Sequence, residues 1–152
     1  EILASEYVFF IGSNVTILKD NWLLNSYNAF KNDELVRLVG PMGSWEKGSS
    51  EKFPNSHIRT SAFMVERKFF SEYASTQNFP VTKQDTWAIE HCSDSLSAYV
   101  INNGYKMVVV NSDGEVFKPQ DWPNSQTYIT LGQKKLMLSD KWVRKYNGAD
   151  EI

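Results

Sequence analysis

The chain has 152 residues, ordinary shares of apolar and charged side chains, and a formal net charge of −2. That length suits one domain with a single core burying roughly two-thirds of the unfolded surface. The near-neutral charge gives no electrostatic case for nucleic acid or an anionic membrane, and no apolar run approaches the ~20 residues of a membrane-spanning helix.

No basic segment followed by an apolar stretch marks a secretory signal. The one cysteine, Cys92, rules out an internal disulfide and fits a reducing cytosol, so the expected location is cytoplasmic. The chain opens on Glu1-Ile2-Leu3-Ala4 without Met, as expected of a processed chain or a fragment.

Residues 1–5 read as the end of a helix. Tyr7-Val8-Phe9-Phe10-Ile11 is a continuous apolar run of the length of a central buried strand, and it stops at the turn-forming Gly12-Ser13-Asn14. A short extended piece over 15–18 comes next. Asp20 then reads as the N-cap of a helix over 21–31, with Trp22, Leu23, Tyr27 and Phe30 on its apolar side. Residues 35–39 predict a strand closed by Gly40-Pro41. The Gly-, Ser- and Lys-rich stretch 42–56 is a long loop whose Trp45 favours a binding role over a linker.

Residues 57–65 predict a strand, 66–75 a helix and 78–82 a connector. A helical stretch follows over 83–103, with a break near Cys92-Ser93. The β-branched run Val108-Val109-Val110 places a buried strand at 105–111, ahead of the Ser112-Asp113-Gly114 turn. The tail is less regular, with turns at Trp122-Pro123 and Asn124-Ser125, an extended piece over 127–131 and a helix over 133–146. Strands alternating with helices in this order predict an α/β fold in one domain over 1–152, with no repeat and no internal boundary.

Three groups of side chains carry chemical interest. Strand alternation puts His57, Arg59 and Ser61 on one face and Ile58 and Thr60 on the other, and an Arg beside a His can hold a phosphate or diphosphate. A strand with a wet outer face reads the same way. Glu90 and Asp94, four apart, share a face if one helix carries both. They would serve as general base and hydroxyl contact, or else Asp94 caps a second helix while Glu90 pairs with a Lys. His91 could tune Glu90 or bind phosphate, although neighbouring helical residues point in different directions. Cys92 has no partner spacing for zinc and reads as buried and inert. Trp22, Trp45, Trp87, Trp122 and Trp142 are spread along the chain; about three should pack in the core, and the others suit stacking on a sugar face.

With these residues in order, the chain resembles the second, acceptor-side half of a bacterial nucleotide-sugar glycosyltransferase of the GT-A type. The likeness runs through Tyr7–Ile11 with Gly12-Ser13-Asn14-Val15, Leu38-Val39-Gly40-Pro41-Met42-Gly43, and His57-Ile58-Arg59-Thr60-Ser61-Ala62-Phe63. It continues through Trp87-Ala88-Ile89-Glu90-His91, Leu96-Ser97, Asn103-Gly104-Tyr105-Lys106, Asp113-Gly114, Trp122-Pro123-Asn124-Ser125 and Leu136-Met137-Leu138-Ser139-Asp140.

The resemblance implies a three-layer mixed sheet lacking the N-terminal nucleotide-binding half, and transfer of a sugar from a nucleotide diphosphate to a glycan acceptor hydroxyl. It makes Glu90 the base and Asp94 an acceptor contact. His57, Arg59 and His91 contact the substrate, and Trp45 closes over the sugar. Where the family holds Mg²⁺ or Mn²⁺ on Asp-x-Asp, this chain has Gly12-Ser13-Asn14, and Asn14 offers a single neutral oxygen. The alternative is a non-catalytic carbohydrate-binding or assembly module that keeps part of the fold. A truncated sheet would also expose an edge, which favours a homo-oligomer.

Overall fold

The computed structural model of the chain describes residues 5–46, 52–78, 80 and 82–149. Residues 1–4 of the expected N-terminal helix end, and residues 47–51 of the long loop, lie outside the described residues. In chain order the elements are β1 (Tyr7–Ile11), β2 (Thr16–Ile17), α1 (Trp22–Asn32), β3 (Val36–Gly40), β4 (Gly43–Ser44), β5 (His57–Ile58), β6 (Ala62–Glu66) and α2 (Arg67–Ser75). Then follow α3 (Lys83–His91), α4 (Leu96–Asn102), β7 (Lys106–Val110), β8 (Val116–Phe117), 3₁₀ turns at Pro119–Asn124 and Leu131–Gln133, β9 (Leu138–Ser139) and α5 (Lys141–Ala149).

The main sheet is mixed, with five strands in the order β1-β6-β3-β7-β8. Strand β6 is antiparallel to both β1 and β3, and β3 is parallel to β7, so β1, β3 and β7 all point one way. Alternation along each strand fills both faces. Ala62, Met64, Val108 and Val110 join Ala29 and Phe30 of α1 and Tyr128, Leu136, Met137 and Leu138 of the tail in one core. Phe63, Val65, Met107 and Val109 join Phe69 and Tyr73 of α2, Leu96 and Val100 of α4, and Trp122 in the other.

Several expectations change. The apolar run 7–11 does form a strand, but an edge one, with Phe10 and Ile11 exposed. Its apolar character comes from ring contacts on both faces: Phe9 meets Trp22 edge-on at 4.7 Å and Phe10 stacks on Phe63 at 4.9 Å. Helix α1 starts after Asn21, not Asp20, and Leu23 and Tyr27 are exposed while Ser26, Ala29 and Phe30 are buried. Asn21 and Asn25 both donate to the Ser112 carbonyl, at 3.1 Å each, which ties the start of α1 to the β7–β8 turn.

The strand expected over 57–65 is two strands, β5 and β6, separated by Arg59-Thr60-Ser61. The helical stretch over 83–103 does break near Cys92-Ser93, as its sequence suggests, into two helices. A capping box of Thr82 and Asp85 opens α3, the helix stops at His91, and Ser95 caps α4. Residues 127–131 are not extended. Ser125, Thr127, Thr130 and Gln133 bond to one another or to local backbone, and they hold a turn with positive φ at Gln126, Ile129, Leu131 and Gln133. The last helix begins at 141 because Asp140 Oδ1 accepts the free N–H groups of Trp142 and Val143, at 2.9 and 3.0 Å.

Of the five tryptophans, Trp122 is fully buried and Trp22 and Trp45 pack against the two cores, while Trp87 and Trp142 are exposed.

Candidate functional site

Because β1, β3 and β7 run in one direction and β6 against them, one end of the sheet gathers Gly12 after β1, Gly40-Pro41 after β3, Asn111 after β7, and Ser61 before β6. Open α/β sheets place ligands outside this carboxyl edge. Two glycines let the following segments lie across it. A Cβ on Gly40 would sit 2.4 Å from Ile58 Cγ2, and one on Gly43 would sit 2.7 Å from the Trp122 ring. Strand β4 therefore rests flat on the buried indole and pairs with β5, matching Ser44 with His57.

Three titratable side chains meet beside β5. His57 and His91 are buried, their ring centroids 4.4 Å apart. His57 Nε2 lies 3.7 Å from Glu90 Oε1, and His91 Nε2 lies 4.0 Å from the same oxygen. Each histidine has its other nitrogen on a carbonyl: His57 Nδ1 is 2.8 Å from Asn55 O and His91 Nδ1 is 3.1 Å from Trp87 O. A carbonyl only accepts, so both Nδ1 atoms carry the proton and both Nε2 atoms are left for another partner. His57 Nε2 is buried with no hydrogen-bond partner.

Glu90 Oε2 is held from the opposite side by the Thr60 backbone N–H at 3.2 Å and by the Thr60 hydroxyl. Burial pushes the Glu90 carboxyl up, but His57 when its Nε2 also carries a proton, Thr60 and the nearby Arg59 guanidinium outweigh it and hold it at about 2. Asn55 fastens the cluster. Its side chain donates to His91 O at 2.7 Å, and its backbone N–H donates to Trp45 O at 3.1 Å.

Arg59, expected on the same strand face as His57, points elsewhere because the strand breaks there. Its Nη2 donates to Asp140 Oδ2 at 2.9 Å and its guanidinium covers the Tyr128 ring at 4.4 Å. Burial opposes ionisation of Asp140, but the Val143 N–H and Arg59 outweigh it and hold the carboxyl below the usual range. The guanidinium is thus engaged inside the protein, and a diphosphate contact would have to break a buried pair.

Asp94 does not share a helix face with Glu90, because α3 ends between them. It is exposed and lines a cleft with Thr76, Gln77, Asn78, Asp85 and Ala88. Asp85, in the same polar stretch, is a capping residue. Trp45 is half-buried, its ring 5.7 Å from that of Trp122, and so is anchored to the core.

The Asn14 segment reaches the same sheet end, since Gly12 N donates to Ser61 O at 2.9 Å. It does not fit a hard divalent metal. Asn14 Oδ1 turns back toward Gly12, and the charge at its backbone is a cation, Arg144 Nη2, 3.1 Å from Asn14 O. The metal-compatible group among the described residues is His57, Glu90 and His91, with one ligand atom of each within 4.8 Å of the others.

Thr60, Asn55, Tyr128 and Asp140 complete the site and were not singled out as functional from sequence. Thr60 and Asp140 lie in the segments 57–63 and 136–140 that carry the resemblance, whereas Asn55 and Tyr128 have no local signal. A second, mostly apolar cleft opens beside Thr60, lined by Phe63, Phe70, Tyr73, Ile89 and Leu96. The buried Tyr73 hydroxyl on its wall has no hydrogen-bond partner.

No helix among the described residues is long and apolar enough to cross a membrane. Comparison with protein families, curated proteins and solved structures finds no match for this chain.

Proposed function

We propose that the chain is the acceptor-side part of a GT-A-like glycosyltransferase that moves a sugar from a nucleotide-diphosphate donor to a glycan hydroxyl. The observation that carries this reading is the meeting of the 57–60 segment, Glu90 and the 12–14 turn at the carboxyl edge of the parallel strands. An apolar cleft with a few polar groups at its rim, as beside Thr60, suits a sugar ring that needs a stacking surface and fixed hydroxyl partners.

In this reading Glu90 is a fixed negative charge that aligns the acceptor hydroxyl. A carboxyl held at about 2 is a weak proton acceptor, so it orients the nucleophile more than it stores the proton. The test is nucleotide release by the protein that carries this chain, supplied with nucleotide-sugar and acceptor. Glu90→Gln should lower turnover by about 10²-fold or more, and wild-type turnover in that variant would remove the assignment.

One observation favours the non-catalytic alternative. Two cations at this end of the sheet, among the described residues, are already engaged, Arg59 by Asp140 and Arg144 by the Asn14 and Ser139 carbonyls. Calorimetry separates the two readings: saccharide binding with no response to UDP, GDP or Mn²⁺ and no transfer would identify a binding module.

A further inference from the structure

We infer that His57, Glu90 and His91 form a binding site for a divalent transition metal of the zinc type. The inference stands on ligand geometry alone and does not rest on the sugar-transfer reading. The three side chains offer two imidazole nitrogens and one carboxylate oxygen, a donor set that suits Zn²⁺, Co²⁺ or Fe²⁺ better than Mg²⁺.

Four observations point the same way. Both Nδ1 atoms sit on backbone carbonyls, which is how metal-bound histidines are commonly oriented. Glu90 Oε2 is fixed by Thr60, which leaves Oε1 facing both imidazoles. His57 Nε2, on a side chain only 1% exposed, has no hydrogen-bond partner, so a buried polar atom aims into the space a cation would fill. The spacing also fits. Bonds of about 2.0–2.1 Å in a tetrahedral site separate ligand atoms by roughly 3.3–3.4 Å. The Glu90–His57 and Glu90–His91 separations are 3.7 and 4.0 Å and all three ligand atoms lie within 4.8 Å of one another, so side-chain adjustments of under about 1.5 Å close the site.

Local charge agrees as well. Arg59, close to the cluster, is itself paired with Asp140, and Glu90 is the carboxylate that faces both imidazoles. Glu90, the least buried of the three, gives the way in. Three protein ligands leave a fourth position open for an oxygen ligand such as water or a hydroxyl.

The experiment is equilibrium dialysis of the chelator-stripped chain against Zn²⁺ and against Mg²⁺, together with the visible spectrum of the Co²⁺-loaded protein. One Zn²⁺ per chain is expected, bound far more tightly than Mg²⁺, with a Co²⁺ spectrum of low coordination number and no thiolate band. His91→Ala and the near-isosteric Glu90→Gln, each checked for a native circular dichroism spectrum, should each weaken Zn²⁺ at least about a hundredfold, more than loss of an outer partner does. The surface variant Asp113→Asn should bind as wild type. Absence of stoichiometric Zn²⁺, unchanged affinity in both folded variants, or a thiolate band lost in Cys92→Ser would each overturn the site. Zn²⁺ binding is read without nucleotide or acceptor, so its failure and the failure of sugar transfer are separate results.

Discussion

Thr60 and Glu90 are joined twice at one oxygen: the Thr60 backbone N–H and its hydroxyl both donate to Glu90 Oε2. The break between β5 and β6 makes this possible, because a continuous strand would commit the Thr60 N–H to a ladder. Replacing Thr60 by Val keeps the shape and the backbone bond but removes the hydroxyl. A hydrogen bond to a buried charge contributes about 1.5–3 kcal/mol, so T60V should lower unfolding free energy by that amount in urea titrations. Wild-type stability in T60V would mean that the hydroxyl bond contributes nothing.

The same contacts make stability depend on pH in a definite direction. Glu90 titrates at about 2 when folded, below its ordinary value near 4.5, so its contribution is complete above pH 5 and disappears as pH falls toward 2. The integrated effect is on the order of 3 kcal/mol. In chelator-treated protein, the loss of stability between pH 5 and 2 should be shallower in Glu90→Gln than in wild type. Parallel curves would show that the folded environment does not favour the anion.

Much of the fold was legible in local pattern. Apolar runs marked β1, β3 and β7, and the polar-to-apolar change after residue 20 marked α1. The edge position of β1 was not legible, since a strand whose rings pack on both faces reads like a central one. The separation of Glu90 from Asp94 was in fact signalled, by Thr82 and Asp85 at one helix start and Ser95 at the next. The four-residue spacing fits a single helix, whereas the break near Cys92-Ser93 and the two caps agree on two. The Arg59–Asp140 pair spans 81 positions and leaves no local trace. The two histidines looked separate for the same reason, because Glu90 and His91 come from α3 while His57 comes from a two-residue strand held by its pairing with β4 and by the Ile58 N–H bond to Ser97 Oγ.

Asp140 does two jobs, pairing with Arg59 through Oδ2 and capping α5 through Oδ1. Asp140→Asn keeps the acceptor for the cap but leaves the Arg59 guanidinium buried without its counter-charge. Breaking a buried pair from one side costs about 3–5 kcal/mol, so D140N should unfold at markedly lower urea. Replacing both residues, as Arg59→Met with Asp140→Asn, should cost less than the sum of the two single changes, because neither then leaves an unpaired charge. Strict additivity in that cycle would deny the coupling.

Gly43 tests how β4 positions the histidine strand. A Cβ there would lie 2.7 Å from Trp122 ring carbons, and the indole cannot retreat, being buried and donating through Nε1 to Phe117 O at 3.1 Å. Gly43→Ala should cost about 1–3 kcal/mol by overpacking and shift the tryptophan fluorescence. Because β4 carries β5, it should also weaken any ligand that depends on His57. Unchanged stability and fluorescence would show that the strand can lift from the ring.

Glu90 and Asp94 should separate cleanly when each carboxylate is neutralised. Glu90 is tied to Thr60 and faces both histidines, whereas Asp94 is exposed on the far side of the helix break, in the cleft with Thr76 and Asn78. Asp94→Asn should change stability by no more than about 0.5 kcal/mol, as for an exposed substitution. If the acceptor extends into that cleft, the variant should raise the acceptor KM and leave kcat near wild type, the sign of lost ground-state binding. In the proposed sugar transfer, Glu90→Gln should instead lower kcat. A fall in kcat for Asp94→Asn as deep as that for Glu90→Gln would mean that the two carboxylates act on one reacting group, despite the end of α3 that parts them.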